Sequence, residues 1–281
     1  MLGKLIRHEF KATWKILLLL NAVTLGAGVA CFFVMNTLHG YMENGDELIS
    51  NNVLRMLVTS SYVTWFILYF LSIFAVNLGT VLFLMIRYYR SLYSKEGYLT
   101  FTLPVGTQEI LHAKLITGYV WSIGGGLITM LSILLMLLGL LFSFTPFEQQ
   151  EILQEVGDFA NLILNPATLL LFVLFGLVMP LYGLISIYFC ITVGQLWQKH
   201  KIAGAILCYI ALNFVNRVIM SFLTIGRMML LPFAFSDDLS DFRFSSYYNG
   251  TLITTLLFSV ISCAVFYFVI RYINANKVNL D

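Results

Sequence analysis

The sequence predicts an all-α polytopic membrane protein with six transmembrane helices. Only 11% of its 281 residues are charged, whereas a soluble domain carries roughly 25%. Its apolar residues form six long runs, and ~20 apolar residues rising ~1.5 Å each are enough to cross the hydrocarbon of a bilayer. The charged residues between the runs also sort by sign, which is typical of chains that cross a membrane repeatedly.

Residues 1–15 predict a short amphipathic helix ahead of the first span. The basic residues recur at steps of three and four along one side: Lys4, Arg7, His8, Lys11 and Lys15. Another face carries an apolar residue at every fourth position: Leu2, Ile6, Phe10 and Trp14. This pattern favours an elbow helix in the membrane surface, with its apolar side down and its lysines toward anionic headgroups. The alternative is an ordinary basic flank that only fixes the orientation of the chain.

Residues 16–281 predict a single six-span transmembrane domain. The six predicted spans cover residues 16–38, 61–86, 115–142, 168–191, 202–223 and 251–270. The apolar run of the first span exceeds the ~7–15 residues of a signal-peptide core, so we expect it to be uncleaved. In the outer segment 222–250, the apolar start at 228–232 indicates a re-entrant partial helix. We also expect Pro180 to kink the fourth span and the glycines at 124–126 to allow close helix contact.

The charge distribution predicts a multi-pass protein of the plasma membrane with both termini in the cytoplasm. With the N-terminus inside, 12 of the 16 Lys and Arg residues fall in inner segments. Only Arg55, Arg227 and Arg243 fall outside, while Arg217 lies within the fifth span. Ten of the 14 acidic residues lie in outer segments. The positive-inside rule therefore favours this orientation, and the opposite one would violate it at every loop.

The sequence contains no motif for chemistry of its own. It has no G-x-x-x-x-G-K-[ST] phosphate loop, so we do not expect this chain to bind ATP in the usual way. It has no H-E-x-x-H or G-x-S-x-G motif, and its four histidines show no metal-ligand spacing. No Asp or Glu falls inside a predicted span, which disfavours an intramembrane protease or a carboxylate proton relay. We therefore expect no catalytic residue, cofactor or metal in this chain.

The most distinctive segment is the basic loop at 87–114, between the second and third spans. Residues 87–95 predict a short basic helix rich in tyrosine, and Gly97 suits its end. An apolar patch follows and is stopped by a proline: Tyr98, Leu99, Phe101, Leu103 and Pro104. We expect Thr107 to cap the next helix. Arg and aromatic residues beside an apolar patch are typical of protein interfaces, although Tyr and Arg are equally favoured at lipid headgroups.

The opening MLGKLIRHEFKATWK and the loop phrase KEGYLTFTLPV at 95–105 resemble permease subunits of ABC-2 type ATP-binding cassette transporters from Gram-positive bacteria, which include exporters of bacitracin, lantibiotics and antimicrobial peptides. The six-span layout is similar over the whole length. The resemblance implies that residues 1–15 are an elbow and that the loop carries a cytoplasmic coupling helix, which docks on a separate ATPase. The implied coupling residues are Arg87, Arg90, Glu96, Gly97, Tyr98, Phe101, Leu103 and Pro104.

The same resemblance implies a half-transporter. Two copies of the permease, most simply a homodimer, would join two copies of the cytoplasmic ATPase, which would bind ATP and Mg²⁺. Membrane lipid completes the expected set of partners, and nucleic acid is not among them. The long aromatic outer segment 222–250 departs from the family's pattern, so the identity of the cargo does not carry over to this chain.

Polar residues in the second and fifth spans are candidates for a substrate pathway. Arg217 is the only formal charge well inside a span, and it lies ~24 Å along the helix from Lys201 at ~1.5 Å per residue. A charge in lipid is costly, so such residues usually face a cavity or the interior of a bundle. The candidate pathway residues are Tyr69, Asn77, Thr80, Asn213, Asn216 and Arg217. Alternatively, Arg217 snorkels to the outer interface and the asparagines join helices.

These observations favour a permease that exports an amphipathic substrate, such as an antimicrobial peptide, a lantibiotic or a hydrophobic drug, while its partner hydrolyses ATP. One alternative is a non-transporting membrane scaffold or sensor that recruits a cytoplasmic partner through the same loop. Another is a membrane enzyme acting on lipid, which the lack of carboxylates within the predicted spans disfavours.

Overall fold

A computed structural model describes residues 2–48, 52–93, 106–144, 146–163, 165–197, 200–230 and 240–276. Within these ranges the chain forms seven α-helices: α1 (Leu2–Leu48), α2 (Asn52–Tyr93), α3 (Thr107–Leu141), α4 (Pro146–Ile163), α5 (Pro166–Gly194), α6 (Lys201–Leu230) and α7 (Ser240–Asn276). Six of them, all except α4, are long and apolar enough to cross a membrane. The predicted all-α polytopic membrane protein with six transmembrane helices is thereby confirmed.

The spanning helices run beyond the predicted spans. α1 continues through the predicted surface helix and the first span to Leu48 without interruption. α2 begins at Asn52 and ends at Tyr93, so residues 87–93 are its last turns and not a separate short helix. Backbone hydrogen bonds continue from turn to turn wherever the sequence permits, whereas apolarity marks only the part of a helix that lies inside the hydrocarbon.

Segments expected to be outer loops are also helical. Residues 146–163 form α4, and its acidic residue in the first turn, Glu148, favours a helix start there. Residues 228–230, expected to begin a separate re-entrant helix, are the last turn of α6. Residues 240–250 are the first turns of α7, while the stretch 231–239 between them lies outside the described residues.

Local hydrogen bonds fix the starts of α5 and α3. At α5, the side chain of Asn165 accepts a hydrogen bond from the backbone N–H of Ala167 at 2.8 Å, as an N-cap residue does. At α3, the backbone carbonyl of Gly106 accepts from the N–H of Glu109 at 2.9 Å. The residue immediately before α3 is therefore Gly106, whereas the sequence predicted Thr107 as the capping residue.

The helices form two compact units. The first unit contains Phe10–Phe83 and Val120–Phe159, and the second contains Met1–Glu9, Leu84–Tyr119 and Ala160–Asp281. The first unit thus combines most of α1 and α2 with the C-terminal part of α3. The second combines the start of α1, the end of α2 and the start of α3 with α5, α6 and α7.

In the first unit, α1 and α3 run parallel along a seam in which a glycine lies at each of three contacts. Gly125 lies beside Asn21, Gly28 beside Ser132, and Gly139 beside Phe32 and Met35. A Cβ atom added to Gly28 would lie 2.9 Å from the Cα of Ser132, so the two backbones approach more closely than a larger residue would allow. Because α1 and α3 are parallel, α2 must return across the membrane between them.

A buried hydrogen-bonded chain links the same three helices. Tyr69 of α2 is only 4% exposed, and its hydroxyl lies 3.1 Å from the hydroxyl of Ser132 on α3. Ser132 in turn donates to the backbone carbonyl of Thr24 on α1 at 3.0 Å. Cys31 and Met136 belong to the same buried cluster as Tyr69. Within a bilayer no water is at hand to bond these polar groups, so their pairing within the protein stabilises the unit.

The apolar side of the N-terminal helix turns partly toward the protein. The ring of Phe10, predicted to face lipid, lies 6.0 Å from the ring of Trp121 on α3. The indole N–H of Trp121 donates to the hydroxyl of Thr13 at 3.2 Å, whereas Trp14 remains exposed. The elbow hypothesis, which requires residues 1–15 to lie in the membrane surface, stays a prediction.

In the second unit, α5 lies beside α7 and runs parallel to it, and α6 contacts both. The ring centroids of Phe172 and Tyr248 are 5.8 Å apart, and further along the two helices those of Phe189 and Phe266 are 4.6 Å apart. Parallel α5 and α7 require α6 to run back between them. The direction of crossing therefore alternates in this unit as well.

We predict that Gly28→Ala destabilises the protein by about 1–3 kcal/mol, because the new methyl group would overlap Ser132 and force α1 and α3 apart. Gly26→Ala is the matched control, since Gly26 is exposed on the same helix and nothing lies within 4 Å of its methyl position. Thermal unfolding of the purified protein in detergent measures the difference. Equal unfolding midpoints for the two variants would contradict the close approach at the seam.

Candidate functional site

The candidate site is the base of the basic loop. We call its two flanks, residues 84–93 at the end of α2 and residues 107–119 at the start of α3, the loop base. Both flanks belong to the second unit, together with the first residues of α1 and all of α5, α6 and α7 that the structure describes. Their contacts within this unit determine what a displacement of the loop would move.

An ion pair joins the loop base to the N-terminal helix. One carboxylate oxygen of Glu9 lies 2.8 Å from Nε of Arg87 on α2, and the other lies 2.8 Å from Nζ of Lys114 on α3. The Lys114 side chain is only 4% exposed, so the Glu9 carboxylate compensates a buried positive charge. A single acidic residue thus connects three helix ends, and with two cations on one carboxylate the triad keeps a net positive charge.

A tyrosine cluster joins the end of α2 to α5. The ring of Tyr88, which is almost fully buried, stacks on the ring of Tyr188 with centroids 3.8 Å apart and planes inclined by 9°. The Tyr88 hydroxyl lies 3.2 Å from the hydroxyl of Thr192. Thr192 donates its own proton to the backbone carbonyl of Tyr188 at 2.8 Å, so Tyr88 is the donor to Thr192. Stacking and hydrogen bonding together fix the end of α2 against α5.

The same cluster reaches α7. The Tyr93 hydroxyl donates to Oδ1 of Asn274 at 2.6 Å and lies 3.1 Å from the hydroxyl oxygen of Thr192. Asn274 is itself buried. Buried hydroxyl and amide groups need such partners, since leaving one unpaired costs about 1–3 kcal/mol. Tyr93, the last residue of α2, is therefore held by both α5 and α7.

The other flank, at the start of α3, is held by α7 and α5. Nε2 of His112 lies 2.7 Å from the hydroxyl of Tyr267, and the two rings are nearly parallel with centroids 5.8 Å apart. One turn earlier, the side-chain oxygen of Gln108 accepts from Nε and Nη2 of Arg271 at 3.0 Å each, with the amide oriented accordingly. A Cβ atom on Gly118 would lie 3.0 Å from the side chain of Leu184 on α5. Both ends of the loop are thus fixed to the same helices.

The predicted coupling residues divide into two groups. Arg87 takes part in the Glu9 ion pair, and Arg90 lies in the last turn of α2. The other six lie outside the described residues: Glu96, Gly97, Tyr98, Phe101, Leu103 and Pro104. The structure therefore describes how the loop is anchored, and the residues expected to touch a partner stay a prediction.

The pathway residues on α2 make local contacts in the first unit. Tyr69 is the buried packing residue described above. Asn77 donates to the backbone carbonyl of Ile73 at 2.9 Å and lies 3.4 Å from the hydroxyl of Thr129. Thr80 donates to the backbone carbonyl of Val76 at 3.0 Å. Asn77 is exposed, Thr80 is half-buried, and neither needs a ligand to satisfy its donors.

The pathway residues on α6 belong to the second unit. Asn213 donates to the backbone carbonyl of Tyr209 at 2.8 Å, and Asn216 donates to the hydroxyl of Tyr182 on α5 at 2.6 Å. Asn216 therefore joins two helices, which was the alternative reading of the asparagines. Arg217 is exposed and forms no hydrogen bond or ion pair in the part of the chain that the structure describes.

No sequence pattern indicated that Glu9, Tyr88, Tyr93 and Lys114 belong to one site. Glu9 carried a usable signal, because it is the one acidic residue in a strongly basic N-terminal helix. Cations also lie close to Glu9 in its own helix, so this signal marks Glu9 but does not identify Arg87 and Lys114 as its partners. The stacking of Tyr88 on Tyr188 left no such signal.

We predict that Glu9→Gln destabilises the protein by about 3–5 kcal/mol, because it leaves the buried charge of Lys114 without its partner. Adding Lys114→Met should restore most of the loss, since it removes the buried charge that Glu9→Gln leaves uncompensated. Glu109→Gln, in the first turn of α3, is the control and should cost under about 1 kcal/mol. Unfolding midpoints in detergent measure all three. A Glu9→Gln variant as stable as the Glu109→Gln control would contradict the ion pair.

Comparison with known proteins adds no relative to this picture. No protein-family model matches the sequence, and no curated protein or solved structure matches it. What the chain does is therefore argued from its own residues, from the resemblance of its opening and loop phrases, and from the geometry of the loop base.

Proposed function

We propose that this chain is the membrane permease of an ABC-2 type exporter, driven by a separate cytoplasmic ATPase. The observation that carries the proposal is the anchoring of the loop base. Both ends of the basic loop are fixed to the start of α1 and to α5 and α7, so a push on the loop is passed to spanning helices. The sequence contains no phosphate loop for binding ATP, which is compatible with an energy source in another chain.

The mechanism follows from this anchoring. ATP binding closes the two ATPases and moves the docked loops together. Each loop base moves as a block because its contacts are buried or charged: the Glu9 ion pair at α1, the Tyr88–Tyr188 stack at α5 and the Tyr93–Asn274 bond at α7. The helices in contact with the block then rearrange toward an outward-open state.

The orientation and location belong to the same proposal. The positive-inside rule places the loop, and both termini, in the cytoplasm of a plasma-membrane protein. Two features of the fold agree with alternating crossings: α1 runs parallel to α3 in the first unit, and α5 runs parallel to α7 in the second. In each unit the helix between the two parallel helices crosses in the opposite direction. Within each unit, successive connecting segments therefore lie on opposite sides of the membrane, as the positive-inside rule requires.

The surface of the spans is compatible with an amphipathic cargo and does not select among the candidates. An amphipathic antimicrobial peptide, a lantibiotic or a hydrophobic drug would each suit the aromatic and apolar membrane faces. A homodimer supplies the second half of the pathway, because six spans are one half-transporter in this family. Arg217, exposed on α6 without a bonded partner in the described part of the chain, is the residue we assign to the cargo path.

We predict that the chain, isolated from its native membrane in mild detergent, brings down a phosphate-loop ATPase in equal number. Tyr98→Asp together with Phe101→Asp should abolish this association, because charges replace the apolar patch of the loop. Mass spectrometry of the isolated complex measures the stoichiometry. The matched control is Leu153→Asp together with Val156→Asp, which makes the same change at two exposed residues of α4 and should leave the ATPase bound.

Two outcomes of that experiment would contradict the proposal. If a protein without ATPase activity is recovered in equal number, the chain is a scaffold or sensor that recruits its partner through the loop. If the ATPase stays bound when Tyr98 and Phe101 are replaced, the docking surface lies elsewhere.

We predict that Arg217→Ala lowers export about tenfold or more while complex assembly and basal ATP hydrolysis stay unchanged. The reason is the loss of a charge-assisted contact to the cargo, worth about 1.5–3 kcal/mol. Protection of growing cells against a panel of amphipathic antimicrobial peptides, lantibiotics and hydrophobic drugs measures export. Arg217→Lys, which keeps the charge, is the control. Unchanged protection in Arg217→Ala would show that this residue only snorkels to the interface.

A further inference from the structure

The N-terminal part of α1 has one side that the protein covers and one that it leaves open. The covered side follows steps of four: Glu9 in its ion pair, Thr13 under the indole of Trp121, and Leu17, which is completely buried. The open side carries the basic residues. Those at positions 4, 7, 8, 11 and 15 are all exposed.

The two sides lie on opposite faces of the helix. At about 100° per residue, the basic positions fall within one sector and the covered positions fall roughly half a turn away. Glu9 is on the covered side, where its carboxylate is paired with Arg87 and Lys114. The open side is therefore purely cationic, and its direction is fixed by the packing behind it.

The exposed apolar residues of α1 mark where the hydrocarbon begins. Trp14 is 45% exposed, and Ile16, Leu18 and Leu19 after it are exposed as well. A tryptophan beside lysines is typical of the headgroup level of a bilayer. At ~1.5 Å per residue, Lys15 and Lys11 lie about 2 and 8 Å from Ile16 along the helix axis, and Lys4 lies about 18 Å away.

We propose that Lys11 and Lys15, with Trp14 between them, bind the phosphate headgroup of an anionic lipid in the leaflet at the N-terminal end of α1. Neither lysine forms a hydrogen bond or an ion pair in the part of the chain that the structure describes. Both lie within about one Debye length, ~8 Å at physiological ionic strength, of the hydrocarbon boundary. The ammonium groups attract the negatively charged phosphate, and the indole ring packs at the boundary between the headgroups and the acyl chains.

The depth of the residues distinguishes lipid from other acidic partners. Because α1 is one uninterrupted helix, the proposal places residues 4–15 on the axis of the first span and not flat in the membrane surface. The attraction of an anionic leaflet falls off within a Debye length, so a lipid site in this geometry depends on Lys11 and Lys15 and hardly on Lys4. An acidic protein approaching from the cytoplasm would instead meet Lys4 and Arg7 first. The proposal concerns lipid alone and does not depend on whether the chain is an exporter.

The test compares the binding of spin-labelled phosphatidylglycerol and phosphatidylcholine to the full-length chain reconstituted in phosphatidylcholine vesicles. The unaltered chain should prefer phosphatidylglycerol at 0.15 M salt and lose the preference at 1 M salt, where charges are screened within ~3 Å. Lys11→Gln together with Lys15→Gln should reduce the preference about fivefold per lysine removed. Lys11→Arg together with Lys15→Arg should keep it, which excludes a folding defect caused by substitution at these positions.

The matched control removes the same number of charges further from the membrane. Lys4→Gln together with Arg7→Gln should change the preference less than twofold, because Lys4 is beyond the reach of the leaflet potential. An equal loss in both double variants would overturn the proposal, because Lys4 and Arg7 would then reach the headgroups as well, as they would if residues 1–15 lay flat in the membrane surface. No preference for phosphatidylglycerol in the unaltered chain would overturn it as well.

Discussion

The ion pairs of the Glu9 carboxylate are the interaction on which the packing of the second unit depends. The carboxylate holds two cations at 2.8 Å, one at the end of α2 and one at the start of α3. The Lys114 ammonium is almost fully buried, and an isolated charge in such surroundings costs several kcal/mol. The start of α1 therefore cannot leave the loop base without a large penalty, and this contact also sets which side of α1 faces away from the protein.

The fold class was predictable because a bilayer imposes strong constraints on sequence. Six apolar runs and a charge distribution that sorts by sign leave few alternatives to six spans. Helix ends were less predictable, since apolarity ends at the headgroups while the helix continues. The helix at 146–163 was missed for the same reason. Its acidic residues lower the hydropathy of the segment and so indicated a loop, although acidic residues also favour the start of a helix.

Contacts between distant parts of the chain were not predictable from pattern alone. Glu9 is 78 residues from Arg87 and 105 from Lys114 in the sequence, and nothing local indicates the pairing. The glycine run at 124–126 was expected to permit close helix contact, but only Gly125 has a neighbour, the side chain of Asn21 at 3.4 Å from a Cβ position, while nothing lies within 4 Å of those of Gly124 and Gly126. The seam between α1 and α3 depends equally on Gly28, which no motif marked.

The proposed function requires the Glu9 contact to pass force between the loop and the helices. Its most direct test is a charge swap, Glu9→Lys with Lys114→Glu, in the complex with the ATPase, measured as stimulation of ATP hydrolysis by cargo. The account predicts that each single substitution abolishes the stimulation and that the double substitution restores part of it, because positions 9 and 114 again form an ion pair while Arg87 is left beside a cation. Full stimulation in the single variants, or none in the double variant, would contradict the account.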